Sequence, residues 1–197
     1  MTVIAAIATP THVVIGSDTR HDYSGTGLHT TAGKVGTLTA PNGDAILLAV
    51  SGNASLLPVA LRTVKLEGTP NPDDTADADA WANAMAEAIT GALNDATPTL
   101  TIPSGEAGAA AIDGTLLLAW RQHLWWIYTH TAARPYGGIL AIGSGTDVAL
   151  GSLHTSQLYG VDPTEAVDLA VRLACRHASG CGVDERGPLI HTTQTAR

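Results

Sequence analysis

The sequence contains no phenylalanine, and aromatic residues make up only 4% of its 197 residues. With few large rings available, small side chains must fill the interior, and the 21 glycines suit tight packing between layers. No apolar run approaches the roughly 20 residues that a membrane-spanning helix needs. The hydrophobic fraction of 45% is ordinary for a globular protein. We therefore expect residues 1–197 to form a single domain with a full core and no membrane partner.

Basic residues are also scarce, with ten Lys and Arg against 18 Asp and Glu and a net charge of -8. This balance argues against nucleic acid as the main partner. The first residues lack a basic segment followed by a long apolar one, so no secretory signal is expected and the expected location is cytoplasmic. The sequence has no Walker-type phosphate loop, so energy for unfolding a substrate would have to come from another chain.

The two cysteines, Cys175 and Cys181, are too few for a disulfide framework. Pairing between them stays open, but in a cytosolic protein buried free thiols are the favoured interpretation. A zinc site that adds His177 and His191 would match no established ligand spacing. We therefore expect neither a metal nor a cofactor.

The first eight residues predict a β-strand, because Val and Ile dominate a short apolar run that ends at Thr9-Pro10. Removal of Met1 would give Thr2 a free α-amine next to its hydroxyl. Such a pair is a nucleophile with its own base, because the amine accepts the hydroxyl proton. An α-amine has a reference pKa of roughly 7.7–8.0, so a small downward shift makes it a neutral base near pH 7. Without further signals, Thr2 is an ordinary second residue.

Two charged residues follow at the ends of predicted strands. Asp18 comes directly after the strand at 13–17, and Lys34 stands at the head of the next one. Singly, Asp18 is typical of a turn and Lys34 of the surface. Together with Thr2 they suit an N-terminal nucleophile. The lysine disfavours the protonated amine by like-charge repulsion, and the carboxylate keeps that lysine charged and oriented.

These residues, in this spacing, resemble the proteasome β-type and HslV-type N-terminal nucleophile hydrolases. The resemblance suggests a bacterial or phage proteasome-like peptidase. The matching segments are Thr2-Val3-Ile4, Gly16-Ser17-Asp18-Thr19-Arg20, Gly33-Lys34-Val35, Ala49-Val50-Ser51-Gly52-Asn53-Ala54 and Ala141-Ile142-Gly143-Ser144-Gly145. The resemblance covers nearly the whole chain and implies a four-layer αββα sandwich. The order of predicted elements alone indicates only an α+β fold.

The resemblance implies a threonine-type peptidase in which the Thr2 hydroxyl attacks a peptide carbonyl and water releases the acyl-enzyme. It assigns catalytic roles to Thr2, Asp18, Lys34 and Ser144, and the oxyanion-binding N–H to Gly52. The resemblance also implies that the Ser144 hydroxyl bonds the Thr2 amine and relays a proton. From the residues alone, Ser144 would be a helix N-cap and Gly52 a tight-turn residue.

One segment departs from the family pattern. Proteasome β subunits usually carry R-D-x-x-S-G after the last long helix, and this chain has Arg176-His177-Ala178-Ser179-Gly180, which is one residue shorter. His177 therefore stands where the family has an Asp that supports the threonine amine. Arg20, His177 and Ser179 are expected to support the site, although Arg20 also fits a plain salt bridge.

The resemblance further implies stacked hexameric or heptameric rings around a chamber, a peptide or unfolded-protein substrate, and a separate AAA+ unfoldase as a candidate partner. The predicted helix at 162–177 has more apolar residues than one packed face needs, which indicates a second interface. Two alternatives stay open. One is a non-catalytic ring scaffold that retains Met1, and the other is an amidase that uses the same nucleophile on a small non-peptide substrate.

Periodicity and turn residues predict the remaining elements. Helices are expected at about 53–66, 78–94, 146–156 and 162–177, and further strands at 34–38, 45–50, 107–112, 115–120, 124–128, 139–142 and 188–192. Asp113-Gly114 indicates a hairpin between two of these strands. The stripe of Trp81, Met85, Ile89 and Leu93 predicts a core face rather than a ligand site, and the pair Trp125-Trp126 predicts packing on a sheet face.

Overall fold

The computed structural model describes residues 2–22, 29–31, 33–103 and 110–193. Its strands are β1 (Val3–Ala8), β2 (Val13–Ser17), β3 (Arg20–Asp22), β4 (His29–Thr31), β5 (Val35–Thr39), β6 (Ala45–Gly52), β7 (Thr101–Pro103), β8 (Ala110–Ile112), β9 (Gly114–Trp120), β10 (His123–Tyr128), β11 (Thr131–Ala133), β12 (Ile139–Gly143) and β13 (Leu189–Thr192). Its helices are α1 (Leu56–Thr63), α2 (Thr75–Asn94), α3 (Thr146–Leu158) and α4 (Pro163–His177). In this part of the chain no helix is long and apolar enough to cross a membrane.

Two antiparallel sheets form the centre of the molecule. One has four strands in the order β12-β1-β2-β13, and the other has five in the order β11-β10-β9-β6-β5. Their inner faces pack through a shared cluster that includes Ile4, Ile15, Leu47 and Leu117. The outer face of the four-stranded sheet is covered by α3 and α4, and that of the five-stranded sheet by α1 and α2. The fold is therefore the expected α+β, four-layer αββα sandwich.

Small residues allow the layers to approach closely, as the lack of phenylalanine predicts. Gly16 of β2 lies under α4, and a Cβ atom at this position would be 2.5 Å from the Val167 side chain. Ala166, Ala170 and Ala174 are fully or almost fully buried on the same helix. A larger residue at Gly16 would push the helix away from the sheet.

The structure confirms most predicted elements and adjusts two helices. α2 begins at Thr75 rather than near residue 78, because the Asp74 side chain accepts hydrogen bonds from the backbone N–H groups of Ala76 and Asp77. α1 covers only Leu56–Thr63, which is shorter than the predicted 53–66, since Val64 already has an extended backbone. The α2 stripe and Trp125 are in the core, as expected, whereas Trp126 is 37% exposed.

The predicted hairpin at Asp113-Gly114 is wrong. β8 pairs with β7, whereas β9 pairs with β6 and β10, so the chain changes sheets at this dipeptide. The Asp113 N–H donates to Leu100 O, and Asp113 O accepts from the Asn53 N–H, which replaces the hairpin's own hydrogen bonds. The predicted strand at 107–112 is described from residue 110 onward, and residues 107–109 lie outside the described part.

The apolar surplus of α4 is mostly used inside the chain. Ala166, Val167, Ala170, Val171 and Ala174 are all buried against the sheet and α3, and Leu169 is 43% exposed. The most exposed large apolar side chains lie elsewhere, at the end of α3 and in the turn before β12. They are Tyr136, Leu158 and Tyr159.

Candidate active site

The register of the first hairpin places Asp18 beside the start of β1. Ile4 pairs with Ser17, so the next residues outward, Val3 and Asp18, lie opposite each other. The Asp18 N–H donates to Val3 O (3.1 Å), and the Val3 N–H donates to Asp18 Oδ1 (3.0 Å). A carboxylate is thereby held next to Thr2, the residue that precedes β1.

Lys34 reaches the same point from the other sheet. It directly precedes β5, and its backbone oxygen accepts from the Val50 N–H (3.0 Å). Lys34 Nζ donates to Asp18 Oδ1 (2.6 Å) and to Thr2 Oγ1 (3.0 Å). The structure thus brings together Thr2, Asp18 and Lys34, the three residues that the sequence analysis singled out first.

This ion pair is buried, with the Lys34 and Asp18 side chains 1% and 0% exposed. Burial lowers the pKa of the Lys34 ammonium, and the adjacent Asp18 carboxylate opposes that change. A buried charge pair needs further hydrogen bonds to offset its lost hydration. Asp18 obtains them from the Val3 N–H at Oδ1 and from the Gly182 N–H at Oδ2 (3.1 Å).

A pocket of about 370 Å³ opens beside Thr2 and Lys34. Part of its wall comes from α1 and the end of β6 and is largely apolar. The residues of this wall are Val50, Ala54, Leu57, Pro58 and Leu61. Gly52, Asn53, Gly33 and His21 also line it. A side chain bound here would lie next to the Thr2 hydroxyl.

Gly52 ends β6 with a backbone φ of 126°, a conformation that favours glycine. A Cβ atom here would be 2.5 Å from Gly114 Cα, so the two backbones touch. Gly52 and Thr2 line the same pocket, which is compatible with the expected oxyanion role. That role stays a prediction.

Ser144 forms a hydrogen bond with the backbone carbonyl group of Thr2. The Ser144 hydroxyl donates to Thr2 O (3.3 Å) and to Ser179 O (3.3 Å), and it lies 3.5 Å from Cys181 Sγ. The Gly145 N–H also donates to Thr2 O (3.3 Å). Gly145 is the N-cap of α3, so the structural alternative for Ser144 as the cap residue is wrong. A proton relay from Ser144 to the Thr2 amine stays a prediction.

The three expected supporting residues have different surroundings. The Arg20 side chain packs against Gly182, and the Arg20 N–H donates to Gly182 O (3.0 Å). Ser179 contributes its carbonyl oxygen to Ser144. His177 is exposed in the last turn of α4, and within the described residues no hydrogen bond joins its side chain to Thr2.

Sequence reasoning missed three residues near this site. Gly182 donates to Asp18, Cys181 contacts Ser144, and His21 lines the pocket. The break after α4 at 180–182 was visible as a glycine-rich segment, but nothing in it indicated a contact with β2.

Cys175 and Cys181 are both free thiols, and burial raises the pKa of the Cys175 thiol to about 12. Among the described residues, no group of three or more His, Cys, Asp or Glu is suited to a metal ion.

Comparisons with known proteins show the fold. BPH of Thiobacillus denitrificans in complex with epoxomicin has a TM-score of 0.68 and 17% identity, over 96% of this chain and 97% of that one. HslV of Trypanosoma brucei has a TM-score of 0.64 and 14% identity, over 96% and 98%. Anbu of Yersinia bercovieri has a TM-score of 0.66 and 14% identity, over 96% and 80%. No family model and no curated sequence matches. The chain therefore shares the proteasome-like fold, a four-layer αββα sandwich, with these proteins.

Proposed function

We propose that this protein is a threonine-type peptidase whose nucleophile is Thr2, exposed by removal of Met1. One observation carries the proposal. Lys34 Nζ contacts both Thr2 Oγ1 and Asp18 Oδ1, and this buried chain of polar groups borders a pocket open to a substrate. Met1 itself lies outside the described residues.

In the proposed reaction, the Thr2 amine takes the hydroxyl proton as Oγ1 attacks the peptide carbonyl carbon. The Lys34 charge keeps the amine neutral near pH 7, and Asp18 keeps Lys34 in place. The Gly52 N–H stabilises the oxyanion. The C–N bond then breaks, and the leaving amine takes the proton held by the Thr2 amine. Water hydrolyses the resulting ester and regenerates Thr2.

We further propose that copies of this chain associate into rings, six or seven per ring, which stack around a chamber. The support is the exposed Tyr136, Leu158 and Tyr159. Their two segments are neighbours, because Gln157 Nε2 donates to Gly137 O, and a contiguous exposed apolar patch marks an interface. Enclosure would protect other proteins from an exposed peptidase, and a separate AAA+ unfoldase would deliver unfolded substrates. Light scattering tests this: a concentration-independent monomer of 20.1 kDa would contradict the ring.

The decisive experiment follows Thr2 directly. Intact-mass measurement reports whether Met1 is removed, and fluorogenic peptides report turnover. Thr2→Ala should remove all turnover, whereas Thr11→Ala, a matched change in an exposed turn, should leave it unchanged. Epoxomicin, which is bound in the Thiobacillus denitrificans structure, should add its mass to Thr2. Equal activity of Thr2→Ala and wild type would contradict the proposal. Complete retention of Met1 without labelling would support the non-catalytic scaffold.

A further inference from the structure

Asp113 contacts Asn53 through both its side chain and its backbone. Asp113 Oδ2 accepts a hydrogen bond from Asn53 Nδ2 (3.0 Å), and Asp113 O accepts one from the Asn53 N–H (3.1 Å). The two residues are 60 positions apart and stand where the chain leaves β6 and where it enters β9. Asn53 directly follows Gly52, so this pair of bonds fixes the chain next to the proposed oxyanion donor.

The hydrogen-bond pattern of β6 shows which way the Gly52 N–H points. Successive N–H groups along a strand point to opposite sides. The Val50 N–H donates to Lys34 O on the β5 side, and the Asn53 N–H donates to Asp113 O on the β9 side. The Gly52 N–H therefore points to the β5 side, beyond the last residue pair of β5 and β6 and toward the Lys34 end of the pocket.

Asn53 has little freedom to move, because each of its polar groups forms a hydrogen bond. Besides its two bonds to Asp113, its Oδ1 accepts from the Ser55 N–H (3.0 Å) and its backbone oxygen accepts from the Leu56 N–H (3.1 Å), at the start of α1. Asp113 is anchored in turn through its own N–H, which donates to Leu100 O (3.0 Å). The Asp113 contact therefore connects the end of β6 to a fixed part of the fold.

We propose that Asp113 is a positioning residue that keeps the Gly52 N–H aimed at the oxyanion. This inference rests on the proposed peptidase function. An oxyanion donor stabilises the transition state when it is held in place before the reaction, at about 2.7–3.1 Å from the oxyanion. Without the Asp113 side chain, the single backbone bond would let Asn53 rotate and carry the adjoining Gly52 peptide with it.

The Asp113 carboxylate suits this task by its charge and its place. A hydrogen bond to an ionised acceptor is roughly twice as strong as one between neutral groups. Asn53 lines the pocket and Asp113 holds it from the β9 side, so the carboxylate acts through Asn53. Gly114, the next residue, touches Gly52 directly, since a Cβ atom added at Gly52 would be 2.5 Å from Gly114 Cα. Two adjacent residues of one segment therefore control where the donor lies.

The test compares Asp113→Ala with wild type on a fluorogenic peptide. The variant should lose about tenfold in kcat and in kcat/KM with KM unchanged, because the interaction it weakens is made only in the transition state. Asp113→Asn, which keeps an oxygen acceptor for Asn53 Nδ2, should recover most of this loss. Asp74→Ala is the matched control, since it removes the cap of α2 and should lower thermal stability while kcat per folded chain stays unchanged.

A second background shows whether Asp113 acts through Asn53. In an Asn53→Ala protein the side-chain partner is already missing, so adding Asp113→Ala should cause no further loss of kcat. Epoxomicin should still label Thr2 of Asp113→Ala to completion, since the nucleophile and its base are unchanged. A further loss of about tenfold in the Asn53→Ala background, or an unlabelled Thr2 in a folded Asp113→Ala protein, would overturn this role of Asp113.

The outcomes separate the two proposals. If wild type cleaves the peptide but Asp113→Ala keeps wild-type kcat, raises KM alone, or loses no more activity than Asp74→Ala, the role of Asp113 is overturned and the peptidase stands. If wild type neither cleaves peptides nor gains the mass of epoxomicin at Thr2, the peptidase proposal fails and this inference fails with it. A loss of kcat in Asp113→Ala that Asp113→Asn restores would support the inference.

Discussion

Each end of strand β6 lies near a well-bonded aspartate, and the two carboxylates have different consequences. Near the Gly52 end, Asp18 accepts from Lys34, Val3 and Gly182. At the other end, the Asp44 carboxylate accepts from Trp120 Nε1 (3.0 Å), from Arg121 through two nitrogens (3.0 and 3.1 Å), and from Asn42 Nδ2 (3.2 Å). Hydrogen-bond number therefore does not distinguish a candidate site from a structural support.

The difference lies in what the cation contacts next. Lys34 is almost completely buried and continues to Thr2 Oγ1 at the edge of a pocket. The Arg121 side chain is 43% exposed, and both of its hydrogen bonds return to Asp44. The buried ion pair that extends to Thr2 suits the proposed reaction, whereas the pair that closes on itself joins the turn before β6 to the β9–β10 turn.

Replacing the cation in each pair should give the largest contrast. Lys34→Met should lower peptide turnover about 10²–10⁴-fold, because the Thr2 amine would keep a higher pKa and stay protonated. It should also cost about 3–5 kcal/mol of unfolding free energy, since Asp18 would remain buried without its cation. Arg121→Met should leave turnover per folded chain unchanged and cost less stability, because Asp44 keeps two other donors. Turnover assays and urea unfolding measure both quantities.

The pH profile completes this test. A Lys34→Met protein that retains full turnover with an unchanged pH profile would contradict the role given to Lys34. A loss of turnover in Arg121→Met equal to that in Lys34→Met would mean that both pairs act only through stability.

Two glycines with positive φ, one near each end of β6, extend the comparison of the two ends to the backbone. Gly52→Ala should lower turnover about 10²–10³-fold, because a Cβ atom 2.5 Å from Gly114 Cα must displace the proposed oxyanion donor. Gly43 lies in the turn beside Asp44 at φ 86°, with nothing within 4 Å of its added Cβ. Gly43→Ala should therefore cost about 1–2 kcal/mol of unfolding free energy through backbone strain and leave turnover unchanged.

Steady-state kinetics and thermal unfolding of both variants give the answer. Wild-type turnover in a correctly folded Gly52→Ala protein would exclude its N–H as an oxyanion donor. A loss of turnover in Gly43→Ala would show that the activity depends on the whole strand rather than on one end of it.

Local signals predicted much of the fold. The first hairpin, the turn before β6 and the start of α4 were all predictable, since Asp162 caps α4 and Pro163 occupies its first turn. The error at Asp113-Gly114 shows the limit of such signals. The dipeptide does turn the chain, but only the strands available in three dimensions decide which pairing follows.

The candidate site was predictable only where the family resemblance indicated which distant residues meet, because hydrophobic periodicity carries no such information. Asp18 and Lys34 are 16 residues apart and flank strands of different sheets, so no local pattern brings them together. The Gly182 N–H donates to Asp18 from a position 164 residues further along the chain, and the sequence did not predict this contact. His21 was missed for a different reason: its place in the pocket lining follows from the fold and not from a local pattern.

The smallest expected effect concerns Asp44 and its pH dependence. Burial raises the pKa of Asp44, but hydrogen bonds from Arg121 and Trp120 outweigh it, so the pKa lies below its ordinary value. A carboxyl with a lowered folded-state pKa stabilises the fold above its unfolded-state pKa, and this contribution is lost as the pH falls through the folded-state pKa. Asp44→Asn should therefore cost about 1–2 kcal/mol at pH 7, with turnover unchanged.

The same variant should approach wild-type stability in acid, since a protonated Asp44 resembles asparagine in shape and charge. Urea unfolding at pH 7 and at a pH below the lowered folded-state pKa of Asp44 measures the difference, and Asp168→Asn in the exposed pair with Arg172 is the control, with a smaller change expected. A cost for Asp44→Asn that persists undiminished in acid would mean that Asp44 acts through shape rather than charge. The contrast with Asp18 would then rest on the contact between its partner Lys34 and Thr2, the proposed nucleophile, and no longer on two comparable ion pairs.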